Sequence, residues 1–297
     1  MSKRRKSSRT ASQRTGEPKR QKLRDVFVPR PFQGLADEPE WIALRELVPA
    51  ASAPLKLSAS LVEQYGDRPV TLSTVLPMAL PAMTKPDGRV LIGLQRHVQS
   101  GDVSRDLSVA LLRALETEPG EQVSIPALPD EGPRLQDVLD DGPLDITVHD
   151  GFGYWLDEGA DEDPNVAASL DRANASIYPT VRMSAAHAAY WCRVPEKSHV
   201  RWVLSEDEDS AMDALARLSA EGLLLLGDGT KFAGMFRAHG LLVPVWDLPR
   251  EPDAGEWEAP LADFTKRYAE AVAASDPLTG EQRRARQGLL GRQITLR

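Results

Sequence analysis

The chain has 297 residues, of which 41% are hydrophobic and 27% charged, and this composition is typical of a globular protein that buries a core without disulfides or metal ions. Its single cysteine, Cys192, excludes an intramolecular disulfide and a cysteine-rich zinc site. The apolar runs are far shorter than a membrane-spanning helix, and no apolar signal-peptide segment follows the basic N-terminus, so we expect a cytoplasmic protein.

The formal net charge of −8 is distributed unevenly. Residues 1–24 hold ten Lys or Arg against one acidic residue, a net charge of +9, which leaves −17 on the rest of the chain. Because residues 1–26 have almost no aliphatic side chains, they are predicted to form a disordered basic arm. Its candidate nucleic-acid contacts are Lys3, Arg4, Arg5, Lys6, Lys19, Arg20 and Lys22. Binding to RNA, ribosome or DNA phosphates and a merely solubilising role both remain open for this arm.

The next elements in chain order belong to a predicted first half. Residues 26–35 are apolar and proline-rich, which predicts an extended strap lying along the folded body. Asp37 and Glu40 form a helix-start pattern before an apolar face that includes Trp41. Residues 70–84 are expected to be extended but interrupted by prolines, and residues 89–95 to form a better strand.

A turn and a long helix complete that half. Pro86 and Gly88 predict a tight turn between the two extended segments, because proline fixes one turn dihedral and glycine supplies a positive φ. The apolar positions from Val103 to Leu115 recur at helical spacing and predict an amphipathic helix that ends before Pro119.

A similar order of elements follows in the second half. Residues 188–193 and 200–204 are expected as strands around a turn, and a helix bearing Ala211, Leu215 and Leu218 on one face should end at Gly222. Further strands are predicted in the apolar segments that follow, and these are residues 223–226, 232–237 and 241–246. Leu261, Phe264 and Tyr268 then indicate a C-terminal helix, followed by a mobile basic tail over 276–297.

The parallel order indicates an α+β protein with two similar halves, each a small, mainly antiparallel sheet with packed helices. If the halves arose by duplication, residues 89–116 and 200–221 should superpose; coincidence is the alternative, since strand–turn–strand–helix is a common order. The acidic linker between them sets the predicted domain boundary. The predicted divisions are 1–26 (arm), 27–158 (first half), 159–275 (second half) and 276–297 (tail).

Five strings in the chain are more specific than composition. They are WIALRELVP at 41–49, SGDVSRDL at 100–107, GPRLQD at 132–137, FRAHG at 236–240 and VPVWDLP at 243–249. On these strings the chain resembles, over residues 30–296, the actinobacterial family called domain of unknown function 5926. The resemblance implies a conserved actinobacterial cytoplasmic protein without established activity. Some relatives carry an N-terminal cysteine-rich zinc motif, but this chain has no cysteine before Cys192, so that motif is not carried over.

No motif in the chain assigns a catalytic, cofactor-binding or metal-binding residue. The glycine-rich segment 227–234 lacks the spacing of a phosphate-binding loop and is better explained as a hairpin turn. The acidic linker 157–163 lacks the alternating ligands of a calcium loop, and the five histidines lack the spacing of metal ligands on one helix. Cys192 lies in an apolar, strand-like run, which favours core packing over catalysis.

The leading expectation is therefore a non-catalytic binding or adaptor protein. The arm would contact RNA, ribosome or DNA, and a groove between the halves would meet a protein partner. The candidate groove residues are Trp155, Trp191, Trp246, His149 and His239. The alternative is an enzyme with a dispersed site between the halves that uses His149, His239 and Lys231. Neither an oligomeric state nor a cofactor is indicated.

Overall fold

The computed structural model describes residues 26–125, 132–157 and 163–291. The predicted arm contacts, the middle of the acidic linker and the last six residues lie outside the described residues. Two five-stranded sheets and eight α-helices make up the described part of the chain, so the predicted α+β class is confirmed.

The first sheet has the strand order β3-β4-β2-β1-β5. Its strands are β1 (Ala51–Leu55), β2 (Val70–Val75), β3 (Ala82–Thr84), β4 (Val90–Gln95) and β5 (Thr147–Val148). Three of its neighbouring pairs are antiparallel, but β2 and β4 are parallel. The predicted hairpin around Gly88 joins β3 to β4 and turns the chain back beside β2 in the same direction.

Four helices accompany this sheet, namely α1 (Glu38–Glu46), α2 (Ala59–Tyr65), α3 (Val103–Glu116) and α4 (Leu135–Val138). Helix α3 confirms the amphipathic pattern in the sequence. Asp102 caps its first turn by accepting a hydrogen bond from the Arg105 N–H, and Leu107 and Leu111 on its apolar face are fully buried.

The second sheet is antiparallel throughout, with the order β6-β7-β8-β10-β9. Its strands are β6 (Thr180–Arg182), β7 (Ala189–Arg193), β8 (Ser198–Trp202), β9 (Lys231–Ala238) and β10 (Leu241–Leu248). The accompanying helices are α5 (Pro164–Asn174), α6 (Glu208–Ala220), α7 (Glu258–Ala273) and α8 (Gly280–Leu290). The predicted strand over 223–226 is irregular instead, although Leu224 and Leu226 are buried in alternation.

Both faces of the second sheet are buried. Trp191 and Trp246 belong to the hydrophobic cluster that includes α6 and α7, whereas Tyr190 and Val243 belong to the cluster that contains the first sheet. Alternate residues of the same strands therefore serve two cores, because successive side chains in a strand point to opposite faces. The halves share a hydrophobic core, with the second sheet as the layer between them.

The halves differ in strand connectivity. In the first sheet, the second strand of the hairpin is β4, and it pairs in parallel with the earlier strand β2. In the second sheet, the second strand of the hairpin is β8, and it pairs in antiparallel with the later strand β10. A helix follows each of these strands, α3 after β4 and α6 after β8. Each half contains a hairpin and a following helix, but a common origin of the halves stays a prediction.

The expectation of a mobile C-terminal tail is wrong for residues 280–290. These residues form α8, which begins at a capping box between Thr279 and Gln282 and packs on α6. Leu289 is buried in the second core, and Arg286 forms ion pairs with Asp209 and Asp213 of α6. Among the helices that the structure describes, none has the length and apolar character needed to cross a membrane.

Candidate binding site at the seam between the halves

The seam between the halves is formed by helix α1, by the strap (residues 26–35) and by the face of the second sheet that points to the first half. Nearly all of α1 is buried, including the side chains of Glu38, Glu40 and Arg45. Charged residues are rarely buried without partners. The contacts of these side chains show how the seam is held together.

Glu40 is the most deeply buried charge of the seam, with 0% exposure. One carboxylate oxygen accepts a 2.6 Å hydrogen bond from the Tyr190 hydroxyl, and the other accepts a 2.9 Å bond from Nε of Arg182. Burial and the adjacent Glu40 carboxylate raise the pKa of Tyr190 well above its ordinary value, so Tyr190 donates to Glu40 as a neutral phenol. The contact ties α1 to strands β6 and β7.

A second carboxylate of the first half makes a neighbouring contact. Asp37, at the start of α1, lies 2.9 Å from Nε2 of His187, which precedes β7. Its other oxygen accepts a 2.7 Å hydrogen bond from the Leu144 N–H. Asp37 and Glu40 therefore bind groups from the second half at the helix end where the backbone dipole favours negative charge.

The C-terminal end of α1 meets the hairpin between β9 and β10. Nε2 of His239 lies 2.9 Å from Oε1 of Glu46, and Nε of Arg45 lies 3.3 Å from the same oxygen. Burial raises the pKa of Glu46, but the hydrogen bond and charge of His239 and the charge of Arg45 outweigh burial and lower that pKa overall. Arg45 also donates to the Leu94 carbonyl oxygen and to Gln99.

The strap lies along the body, as its sequence predicts, but residues 31–34 form turns and are not extended. Phe32 is fully buried and contacts the rings of Trp41 and His239, at centroid distances of 5.8 and 5.5 Å. Arg134 and Gln136 donate hydrogen bonds of 2.7 and 3.0 Å to the Pro31 carbonyl oxygen.

The strap also contacts the second half. It passes so close to Gly240 that an added Cβ there would lie 3.0 Å from Cβ of Arg30. Gly240 has φ = 88°, a value that favours glycine. Both the backbone conformation and the close approach therefore require glycine at this turn.

Two cavities lie beside Glu46. The first, named here the seam cleft, has a volume of about 250 Å³ and is lined by Glu46, Leu47, Val48, Pro49, Gln95, Ser176, Tyr178, Thr180, Cys192, Val194 and Arg201. The second, of about 570 Å³, lies under the strap and includes Phe27, Val28, Glu46 and His239 in its lining. Clefts between packed halves are common places for ligands.

The predicted aromatic groove does not exist as a unit. Trp246 is 0% exposed and Trp191 is 3% exposed, and both side chains lie in the core shared with α6 and α7. They cannot contact a partner. The strands that carry these tryptophans are buried on both faces. From the sequence of one such strand, a buried aromatic side chain cannot be told from one that faces a groove.

The remaining groove candidates lie apart from those two tryptophans. Trp155 stacks on Phe152 at 4.2 Å and donates from its indole nitrogen to the Val75 carbonyl oxygen. His149 stacks on Tyr154, and its Nε2 lies 2.8 Å from the Ser52 hydroxyl. Burial lowers the pKa of His149. His239 lies at the seam itself, where sequence reasoning placed it.

The three residues of the alternative enzyme site do not come together. His149 contacts β1, whereas His239 contacts the end of α1. Lys231 and His239 stand at opposite ends of β9, about 26 Å apart at the usual rise per residue of a strand. Lys231 is the first residue of β9 and directly follows the glycine-rich turn.

Cys192 lies in strand β7, with 5% exposure. Burial raises the pKa of its thiol, which keeps the sulfur protonated and unreactive at neutral pH. Within the described ranges, no group of three His, Cys, Asp or Glu side chains is placed to hold a metal ion.

The fold and the seam define a two-sheet α+β protein whose halves share a core and meet around helix α1. A comparison with protein-family models assigns the chain to a family. A family model described as "Family of unknown function (DUF5926)" matches residues 31–297, so the chain belongs to this family. No curated protein and no solved structure matches the chain.

Proposed function

We propose that this is a non-catalytic binding protein that attaches through its basic arm to a nucleic acid or to the ribosome. The observation that carries the proposal is the separation of charge along the chain, with +9 in residues 1–24 and −17 in the rest. Polyanions attract such an arm and repel the body, so contact would be concentrated in the arm. The proposed contacts are Lys3, Arg4, Arg5, Lys6, Lys19, Arg20 and Lys22.

The strap supports this proposal because it fixes the point where the arm leaves the body. Arg30 is paired with Glu38 by two hydrogen bonds of 2.6 and 2.8 Å, and the Val28 N–H donates to the Gly101 carbonyl oxygen. Just before these anchors, Val26 and Phe27 are 64% and 76% exposed. An arm that leaves the body at this point would reach phosphates while the body stays at a distance.

The setting we propose is the reducing cytoplasm of an actinobacterium. The single, buried cysteine is compatible with a reducing compartment, because the chain has no disulfide to lose there. The contacts of His149, His239 and Cys192 within the folded body are the reason that we favour binding over catalysis.

Deletion of residues 1–25 tests the proposal. Full-length and deleted protein should be compared by sedimentation with polysomes and by pull-down on immobilised RNA and duplex DNA, and the full-length protein alone should associate. An Arg283→Gln, Arg284→Gln variant is a suitable control, since it removes two positive charges from exposed positions of α8 outside the arm. Equal association of full-length and deleted protein would leave the arm with a solubilising role only.

A further inference from the structure

Arg201 differs from the other cationic side chains of the seam, because its side chain has no partner among the described residues. Arg45 and Arg182 form ion pairs with Glu46 and Glu40. In the part of the chain that the structure describes, the Arg201 side chain makes no hydrogen bond and no ion pair, although it is only partly exposed. The unpaired Arg250 and Arg284, in contrast, are exposed to solvent.

The strand register determines where Arg201 points. It lies opposite Tyr190 of β7 and Val245 of β10, and both of these residues belong to the core cluster of the first half. Directly opposite residues share a face of a sheet, so the Arg201 side chain points towards the first half. There it lines the seam cleft with Cys192, Gln95 and Tyr178.

The Arg201 side chain is partly buried, and its guanidinium nitrogens stay in contact with water in the cleft. Among the described residues, no side-chain or backbone acceptor binds its five N–H donors. A ligand with acceptor oxygens would satisfy the same donors, which gives the position a reason to carry arginine.

We propose that the seam cleft binds a small anion through a carboxylate or phosphate group, with Arg201 as its principal contact. Arginine presents a planar fork of donors that fits such oxygens in pairs. Gln95 and Tyr178 are further polar residues of the lining; the Gln95 amide nitrogen donates to the Arg45 carbonyl oxygen, and Tyr178 is 52% exposed. A volume of about 250 Å³ suits a small metabolite rather than a dinucleotide.

The carboxylate of Glu46 also lines the cleft but does not cancel the charge of Arg201. It is held by His239 at 2.9 Å and by Arg45 at 3.3 Å, so its negative charge is balanced by its own partners. Arg201 is therefore the uncompensated charge of this cavity. The proposal is independent of the basic arm, because the cleft is built entirely from residues of the folded body.

Thermal unfolding of the full-length protein at constant ionic strength tests the site. The probes are inorganic phosphate, sulfate, acetate, succinate and phosphoenolpyruvate, each compared with chloride. A ligand that binds only the folded state raises the Tm in proportion to the logarithm of its concentration above Kd. We expect at least one probe to raise the Tm in the wild type and in an Arg250→Gln control, but not in Arg201→Gln. The probe that acts distinguishes a carboxylate site from a phosphate site.

Two further measurements do not depend on how Arg201→Gln folds. The imidazole resonances of His199 in the wild-type protein should shift with the active anion, because Arg201 acts on this neighbouring ring. In the absence of any anion, Arg201→Met should unfold at the same or a higher urea concentration than the wild type. Three results would each overturn the proposal: no saturable response to any probe, an equal response in Arg201→Gln, or a lower urea midpoint in Arg201→Met.

Discussion

Glu40 shows at the scale of one residue why the seam depends on paired charges. Its carboxylate is fully buried, and the Tyr190 hydroxyl and the Arg182 guanidinium are both within hydrogen-bond distance. An ion pair of this kind contributes little over an apolar pair of the same shape. Removal of one member is different, since it leaves the other member buried without its partner.

The first residue-scale prediction is that Glu40→Gln destabilises the protein by about 1 to 2 kcal/mol, because the hydrogen bond from Arg182 loses its charged acceptor while Arg182, with 37% of its side chain exposed, stays in contact with water. Tyr190→Phe, which removes one hydrogen bond to Glu40, should cost about 1 to 2 kcal/mol. Urea unfolding monitored by tryptophan fluorescence measures both changes. Glu63→Gln, on the exposed side of α2, is the matched control and should stay close to the wild type. A Glu40→Gln midpoint equal to that of the control would contradict this account.

The second residue-scale prediction concerns pH and His199. Burial lowers the pKa of His199, and the charges of Arg201 and Lys197 lower it further, against the opposing effect of Asp247. A lowered folded-state pKa means that the unfolded chain binds the proton more readily. The stability that His199 contributes is therefore complete above its unfolded pKa of about 6.5 and is lost as the pH falls below that value.

Urea midpoints between pH 8 and pH 5 test the sign of this effect. The wild type should lose stability as the pH falls from about 6.5, and His199→Gln should lose less over the same interval. His149, whose pKa is also lowered by burial, remains in both proteins and supplies the common background. Identical pH dependence in the two proteins would show that His199 does not titrate in this way.

At the scale of elements, α8 is a packed helix within the segment that the sequence predicts to be a basic tail. Leu289 is 1% exposed and belongs to the second core, and the ion pairs of Arg286 hold the helix against α6. A helix of eleven residues is marginal in isolation, so its stability comes from this packing.

The element-scale prediction is that Leu289→Ala destabilises the whole protein by about 2 to 4 kcal/mol, because the change removes buried apolar volume from the second core. Arg284→Ala, at an exposed position of the same helix, should have little effect. Thermal unfolding of both variants is the measurement. If Leu289→Ala unfolds together with the wild type, α8 is not part of the cooperative fold.

Local patterns in the sequence predict some of these elements and not others. The spacing of Leu107 and Leu111 is enough to predict α3, because apolar residues recur every three or four positions in a helix that packs on one face. The capping box at Thr279 was an equally local signal for α8, and the charge of the segment obscured it. The parallel pair of β2 and β4 depends on how a hairpin folds back on an earlier strand, which no local pattern records.

At the scale of the molecule, the shared core limits what the sequence can show about a site. Trp246 and Arg201 both lie on strands of the second sheet, but one side chain is buried against the helices and the other lines the seam cleft. This difference comes from strand register and from the packing of the two halves across the sheet. Neither the register nor the packing can be predicted from the composition of either half. The arm is the opposite case, since the proposal that it binds a polyanion rests on its charge alone.

The dependence of RNA affinity on salt tests the proposed function most directly. If the seven proposed arm contacts each neutralise a phosphate, the logarithm of the association constant for single-stranded RNA should fall against the logarithm of salt concentration with a slope of about −5. Exchange of Lys3, Arg4, Arg5 and Lys6 for glutamine should reduce the steepness by about 3, and deletion of residues 1–25 should abolish binding. An affinity and a salt slope that are unchanged by the deletion would contradict the account.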